Sequence, residues 1–218
     1  MSGAAVGLGR AGLASPADSA IAAVAPVRGP AENTVGPNAV IQTRSALVDS
    51  YGGPVARRLF GYAGLEAWFD RPPDKMVEAD KVHRLNMALF AALGGDAFDT
   101  VMAEAGRRTG RYILENRIPR LARAVLRLLP ARLAARILLR AIVANSWTFA
   151  GGATVIATPG HPAVIEIREN PLSMPGCAWH CAVFETLFSA MLRRPVQVRY
   201  QACVEEPGPD AFRLVWKG

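Results

Sequence analysis

Cysteine is scarce in this chain: there are three in 218 residues, an odd number. No secretory leader precedes them. The apolar patch Ala20-Ile21-Ala22-Ala23-Val24 has no basic leading region and no sustained hydrophobic run. A disulfide framework is therefore excluded, and the thiols are expected to be free or metal-bound in a reducing cytoplasm. Long uncharged hydrophobic stretches are missing too. Through 120–140 an arginine recurs every three to five residues, and each charge at bilayer depth costs about 2.5–3.5 kcal/mol, which rules out a membrane span. No NAD(P) or flavin signature survives inspection. One G-x-G-x-x-G match, Gly7-Leu8-Gly9-Arg10-Ala11-Gly12, has only Ala4-Ala5-Val6 ahead of it and Pro16 behind it. Neither the strand nor the long helix of a dinucleotide loop frames it, so it reads as part of a Gly-rich tail. Three thiols cannot hold a standard four-cysteine cluster, and there is no repeat of solenoid length. The residues thus lack the means to deliver a hydride or electron unaided.

Half of the chain is apolar and a fifth is charged, with a net charge of +7. That composition supports one globular domain and an anionic partner. Residues 1–36, rich in Ala, Gly, Ser and Pro, read as a tail, and 37–218 as a single domain. Ten arginines lie between Arg107 and Arg140, where Glu115 is the only acid. Arg120, Arg123 and Arg127 share one helical face and Arg132, Arg136 and Arg140 another. They read either as solvated faces of amphipathic surface helices or as a surface facing an anion: membrane lipid in peripheral contact, a partner protein, or ligand carboxylates. Nucleic acid is disfavoured because no recognition motif and no interleaved aromatics accompany the charge. Pairing of two copies into a homodimer stays open.

Punctuation by glycine and proline sets the elements. Helices are expected over Asn38–Tyr51, Pro54–Tyr62, Glu78–Leu93 and Asp96–Asn116, stopped by Gly52-Gly53 and Gly94-Gly95. Pro119 and Pro130 divide the basic stretch into two more. From Trp147 the period changes. Ala153–Ala157 and Ala163–Arg168 read as strands, Cys177–Leu192 as a helix, and 196–203 and 212–217 as alternating strands. Helices followed by strand–strand–helix–strand–strand give an α+β fold, N-terminal helices on a small antiparallel sheet.

The chemistry is expected around Asn170–Cys181, NPLSMPGCAWHC, with Cys203. One helical turn from Cys177 to Cys181 puts both thiols on one face above Phe184 and Phe188, and His180 lies on the adjacent stripe. This forms a soft, partly aromatic mouth for a large flat ligand or a metal. Cys177, His180, Cys181 and Cys203 make a Cys₃His set suited to tetrahedral zinc; the bland alternative is small thiols that pack. His180 reads first as a helix-start histidine bonded to nearby backbone, with an axial nitrogen for magnesium as the alternative. Trp147 and Trp179 could stack on a macrocycle or simply fill the core.

Trp147-Thr148-Phe149-Ala150-Gly151-Gly152, Asn170-Pro171, Cys177-Ala178-Trp179-His180-Cys181 and Cys203 with the Phe212 strand resemble the 4-vinyl reductase domain family, in its bacteriochlorophyll-biosynthesis branch. Ala105-Gly106, Thr109-Gly110-Arg111-Tyr112 and Asn116-Arg117-Ile118-Pro119 fit the same likeness, which covers about Pro37 to Lys217. Ala211 stands where the family commonly has a second cysteine after the one matching Cys203. The resemblance implies a fold like that of TRAPP trafficking-complex subunits, a buried apolar cavity between helices and sheet, and a place at reduction of the 8-vinyl group of divinyl (proto)chlorophyllide. Combined with the missing cofactor signatures, it favours a carrier that binds a magnesium tetrapyrrole and meets the enzymes of bacteriochlorophyll biosynthesis. His180, Trp147, Trp179 and Phe184 would contact the ring, and Arg107, Arg108, Arg111 and Arg117 its carboxylates. The alternatives are an 8-vinyl reductase, or its substrate-binding subunit, taking electrons from a partner, and a zinc-bearing structural module.

Overall fold

The fold is that of a computed structural model, which describes residues 33–201 and 208–217. The Gly7–Gly12 motif and Cys203 lie outside the described residues. Helices come first: α1 Asn38–Tyr51, α2 Gly53–Tyr62, α3 Glu66–Asp70, α4 Ala79–Leu93, α5 Gly95–Asn116, α6 Arg120–Leu128, α7 Ala131–Ala144 and the single turn α8 Trp147–Ala150. Strands β1 Thr34–Val35 and β2 Val77–Glu78 form a small antiparallel pair beside them. The C-terminal part holds β3 Thr154–Thr158, β4 Ala163–Arg168, α9 Ala178–Leu192, β5 Val196–Gln201 and β6 Asp210–Trp216, in a wholly antiparallel sheet of order β3-β4-β6-β5. The α+β class read from the sequence is therefore observed. Among the described residues no helix is long and apolar enough to cross a membrane.

Helix α9 is the centre of the molecule. Trp179, His180, Val183, Phe184, Leu187, Phe188, Met191 and Leu192 are all buried, so the helix is apolar nearly all round, as a helix enclosed by other elements must be. On one side it docks on the sheet. Ser189 Oγ and Glu185 Oε1 accept the Val196 and Val198 backbone N–H groups at 3.0 and 2.9 Å. They thereby satisfy edge strand β5, which pairs only with β6. The sheet answers with Ile165, Ile167, Phe212 and Leu214, all fully buried.

On its other side α9 crosses α5 at unusually short range. A Cβ added to Gly106 would collide with the Trp179 carbonyl oxygen, and one on Gly110 would come within 2.7 Å of the Thr186 Cβ. Only the absent side chains let the two backbones approach this closely. The remaining inner face of α5, Phe98, Val101, Met102 and Ala105, packs into the same core. Helices α1 and α4 complete it with Val40, Leu47, Val82, Leu85 and Leu89.

Gly106→Ala and Gly110→Ala should each destabilise the fold by about 2–3 kcal/mol through overpacking against backbone and a β-branched neighbour. Gly61→Ala, a helical site with nothing within 4 Å of the new methyl, should be neutral or stabilising by about 0.5–1 kcal/mol. Urea unfolding of the three variants measures the contrast.

Candidate functional site

The loop from Asn170 to Cys177 delivers the start of α9. Gly176 and Cys177 both have positive φ, 75° and 43°, and this left-handed kink decides where the helix begins. Cys177 therefore caps the helix instead of joining its first turn, which corrects the expectation that Cys177 and Cys181 share a helical face. The two thiols go separate ways. Cys177 is buried and donates to Asp210 Oδ2 at 3.6 Å. Cys181 is partly exposed and donates to the Gly176 carbonyl at 3.9 Å.

Asp210, at the start of β6, is the anchor of this loop. Its carboxylate accepts from Asn170 Nδ2 (2.7 Å), Tyr200 Oη (2.7 Å), Ser173 Oγ (3.2 Å) and the Cys177 thiol. Asn170 Oδ1 also takes the Leu172 N–H at 3.0 Å, closing a local turn. Four donors around one buried carboxylate satisfy its lone pairs without a cation. Burial, with help from Asp210, pushes both the Cys177 thiol, to about 12, and the Tyr200 phenol upward. Burial, with Glu185 nearby, likewise pushes Cys181 to about 12. Both thiols are therefore protonated at neutral pH in the metal-free protein. No group of three or more His, Cys, Asp or Glu side chains able to hold a metal occurs among the described residues. The zinc set is thus not assembled by Cys177, His180 and Cys181, and Cys203 lies outside the described residues.

His180 is the opposite of Asp210: deeply buried and short of partners. One ring nitrogen donates to the Phe149 backbone, and Nε2 meets no partner. Burial lowers its pKa to about 4, against a smaller opposing pull from Asp210, so the ring is neutral and Nε2 presents a lone pair. Around it stand Trp179 (ring centroids 5.0 Å), Phe212 (5.6 Å), Phe149 and Phe184 (both 6.3 Å). His180 and Trp179 line a cavity closed by Ala39 of α1, Val82 and Asn86 of α4, Phe98 and Met102 of α5, and Leu172, Met174 and Cys177 of the loop. Asn86 Oδ1 and Trp179 Nε1 are also buried without a partner. The cavity holds about 20 Å³, the size of one water. The cavity beside His180 is therefore far smaller than the ligand-sized chamber implied by the family resemblance.

The other predicted contacts are scattered. Phe184 packs behind His180, at 5.3 Å from Phe212. Trp147 opens α8 with its indole nitrogen unpartnered and does not line the cavity. Arg107, Arg108 and Arg111 converge on Glu104 at 2.9, 2.7 and 3.3 Å, and Arg108 also reaches Asp49 at 2.7 Å. Arg108, seconded by Arg107, holds the Glu104 carboxyl below its ordinary range. Arg117 lies 6.0 Å over the Tyr112 ring. A separate open groove of about 400 Å³ lies between α7 and the β3–β4 turn, lined by Arg132, Arg136, Leu139 and His161 among others. Asn86, Tyr200 and Asp210 escaped the sequence reading. Asn86 alone carried a visible signal, as a polar residue inside the Val82–Leu85–Leu89 apolar stripe.

Because the folded pKa of His180 lies below the ordinary 6.5, the unfolded chain binds more protons than the folded one between those values. Its contribution is complete above about pH 6.5 and is lost as pH falls toward 4, by roughly 3 kcal/mol in all. Comparing urea midpoints of the parent and His180→Phe across that range isolates this component. Asp210→Ala should cost about 3 kcal/mol at neutral pH by stranding Tyr200, Asn170 and Ser173, measured the same way.

A scan of protein-family models found no match to the chain. Solved structures sharing the fold are H-NOX proteins, in place of the trafficking-complex subunits that the resemblance implied. The Fe(II) unliganded H-NOX protein from K. algicida superposes with a TM-score of 0.62 at 8% identity, over 84% of this chain and 97% of that one. An H-NOX structure that probes the function of heme distortion gives 0.52 at 17% identity, over 82% and 94%. In sequence, the bacteriochlorophyll synthase 23 kDa chain of Cereibacter sphaeroides is 39% identical over 198 residues, 87% of this chain and 95% of its own length. That of Rhodobacter capsulatus is 36% identical over 194 residues, 86% and 89%. With likeness of that degree along nearly the full length of both relatives, the chain belongs to the bacteriochlorophyll synthase 23 kDa chain family.

Proposed function

We propose that this chain is an accessory protein of bacteriochlorophyll synthesis that holds a magnesium tetrapyrrole, of the divinyl (proto)chlorophyllide type, and passes it to or from a partner enzyme at 8-vinyl reduction. The observation that carries the proposal is His180: a neutral, buried imidazole with a partnerless Nε2, in a residue that lines a largely apolar cavity. Nitrogen suits a hard magnesium ion better than the protonated thiols nearby. The names of the relatives and the heme in the name of a fold neighbour support the same ligand class.

The donor chemistry fits a tetrapyrrole, but the volume of the closed cavity does not. Pockets for ligands of that class hold roughly 300–1,000 Å³, against the water-sized space between α4, α5 and α9. Binding therefore requires the walls to part. Phe98, Met102 and Trp179 would then face the ring, with His180 as axial donor. A bound magnesium tetrapyrrole would supply the vinyl group to be reduced. The chain's own part is to bind, orient and exclude water, while reducing equivalents come from a partner.

A second site has its own support. The open groove beside α7 is already of ligand size, and Arg132 and Arg136 could pair with carboxylates there.

Titrating magnesium divinyl protochlorophyllide into the protein should shift and sharpen the Soret band saturably, without consuming NADPH. His180→Ala should weaken binding about tenfold or more and alter the bound spectrum if the internal site is used, whereas Arg132→Gln/Arg136→Gln should do so if the groove is used. No saturable spectral change would refute pigment binding, and vinyl turnover with NADPH alone would replace the carrier by a self-sufficient enzyme.

A further inference from the structure

Helix α6 is oriented against the usual rule. A surface helix turns its leucines inward and its arginines outward, yet α6 buries only Leu126. Leu121, Val125 and Leu128, spaced i, i+4, i+7, form a stripe facing solvent, with Leu121 76% and Leu128 82% exposed. Leu133, at the start of α7, is exposed as well. Arg127 Nε donates to the Ala190 carbonyl at 3.2 Å, fixing α6 to α9 in this attitude. No acid occurs between Glu115 and Glu166, while seven arginines stand from Arg117 to Arg140. Among the described residues none of the seven lies within ion-pair distance of a carboxylate.

We propose that the exposed surface of the consecutive helices α6 and α7 is where this protein docks on an anionic lipid bilayer. Leu121, Val125 and Leu128 would enter the boundary between headgroups and acyl chains. Arg120, Arg132 and Arg136, all exposed, would meet lipid phosphates. A nine-residue helix is too short to span and must lie in the interface plane. Charge complementarity selects an anionic partner, and the composition of the stripe selects lipid over protein. Protein interfaces are anchored by aromatics in pockets, whereas here only aliphatic side chains project, flanked by arginines whose stems can extend along an acyl surface. Seven arginines without a carboxylate partner among the described residues also suit a diffuse negative sheet better than one complementary patch. The inference does not rest on pigment binding at His180, shares Arg132 and Arg136 with the groove reading, and is tested without pigment.

The full chain should sediment with vesicles of phosphatidylcholine containing about one-third phosphatidylglycerol, and far less with phosphatidylcholine alone, with affinity falling as salt rises. Leu121→Glu/Leu128→Glu, at two exposed positions, should keep its circular dichroism and Tm but partition about a hundredfold more weakly at low salt. Arg120→Gln/Arg132→Gln/Arg136→Gln should lose the preference for anionic vesicles. Failure of the parent protein to sediment with anionic vesicles overturns the proposal and leaves the stripe to a protein partner. Undiminished binding by the leucine variant overturns it as well, because adsorption would then be electrostatic alone.

Discussion

Two missing side chains hold this molecule together. At Gly106 and Gly110 the backbone of α5 lies against the Trp179 carbonyl and Thr186 of α9, closer than any other residue would allow. Because α9 is apolar on nearly every side, it is stable only when enclosed, and this crossing encloses it. The position of α9 then sets the rest. Its Glu185 and Ser189 dock the β5 edge, and its first turn places Trp179 and His180 opposite Phe98, Met102 and Asn86. A methyl group at the crossing would therefore disturb the sheet and the candidate site together, although neither glycine belongs to the site.

The first turn of α9 also shows two ways of burying a polar group. Asp210 is surrounded by four donors and so ties the Asn170–Cys177 loop to the sheet. His180 has one backbone partner and a bare nitrogen. Leaving a buried donor or acceptor unsatisfied costs about 1–3 kcal/mol, and the Asn86 Oδ1 acceptor and the Trp179 Nε1 donor are two more such atoms, in residues that line the same cavity. Native interiors hold few exceptions of this kind. Three in residues lining one small space distinguish it from ordinary core packing.

Much of the framework was legible because its signals are local. Gly52-Gly53, Pro54 and Gly94-Gly95 bound their helices, and alternation along Val196, Val198 and Tyr200 marked β5, since a stop or a period of two needs no knowledge of the rest of the chain. What escaped depends on distant partners. Asp210 meets Asn170 forty residues away, and Gly106 is explained only by Trp179. The left-handed Cys177 is imposed by how the loop lands on β6, so helical spacing misplaced its thiol. The arginines were a different failure. Glu104 stands three, four and seven residues before Arg107, Arg108 and Arg111, and that spacing was sufficient to predict their pairing. The exposed face of α6 was hidden because its pattern resembles an ordinary amphipathic helix, and only packing reveals which stripe faces water.

If a tetrapyrrole is to reach His180, the cavity must open at its least constrained wall. Helix α9 cannot retreat without breaking the glycine crossing and its bonds to β5. The loop wall, with Leu172, Met174 and Cys177, is pinned through Asn170, Ser173 and Cys177 to Asp210. Helix α5 is fixed by the same crossing that fixes α9. Helices α1 and α4 remain, contributing Ala39, and Val82 and Asn86, with Asn86 Oδ1 unpartnered. Separating apolar contacts costs in proportion to the area exposed, and an incoming macrocycle would cover that area again, whereas broken hydrogen bonds at Asp210 would have no such replacement. Movement of α1 or α4 away from α9 would therefore be the least costly opening, and movement of α4 would bring Asn86 to the rim of the enlarged pocket.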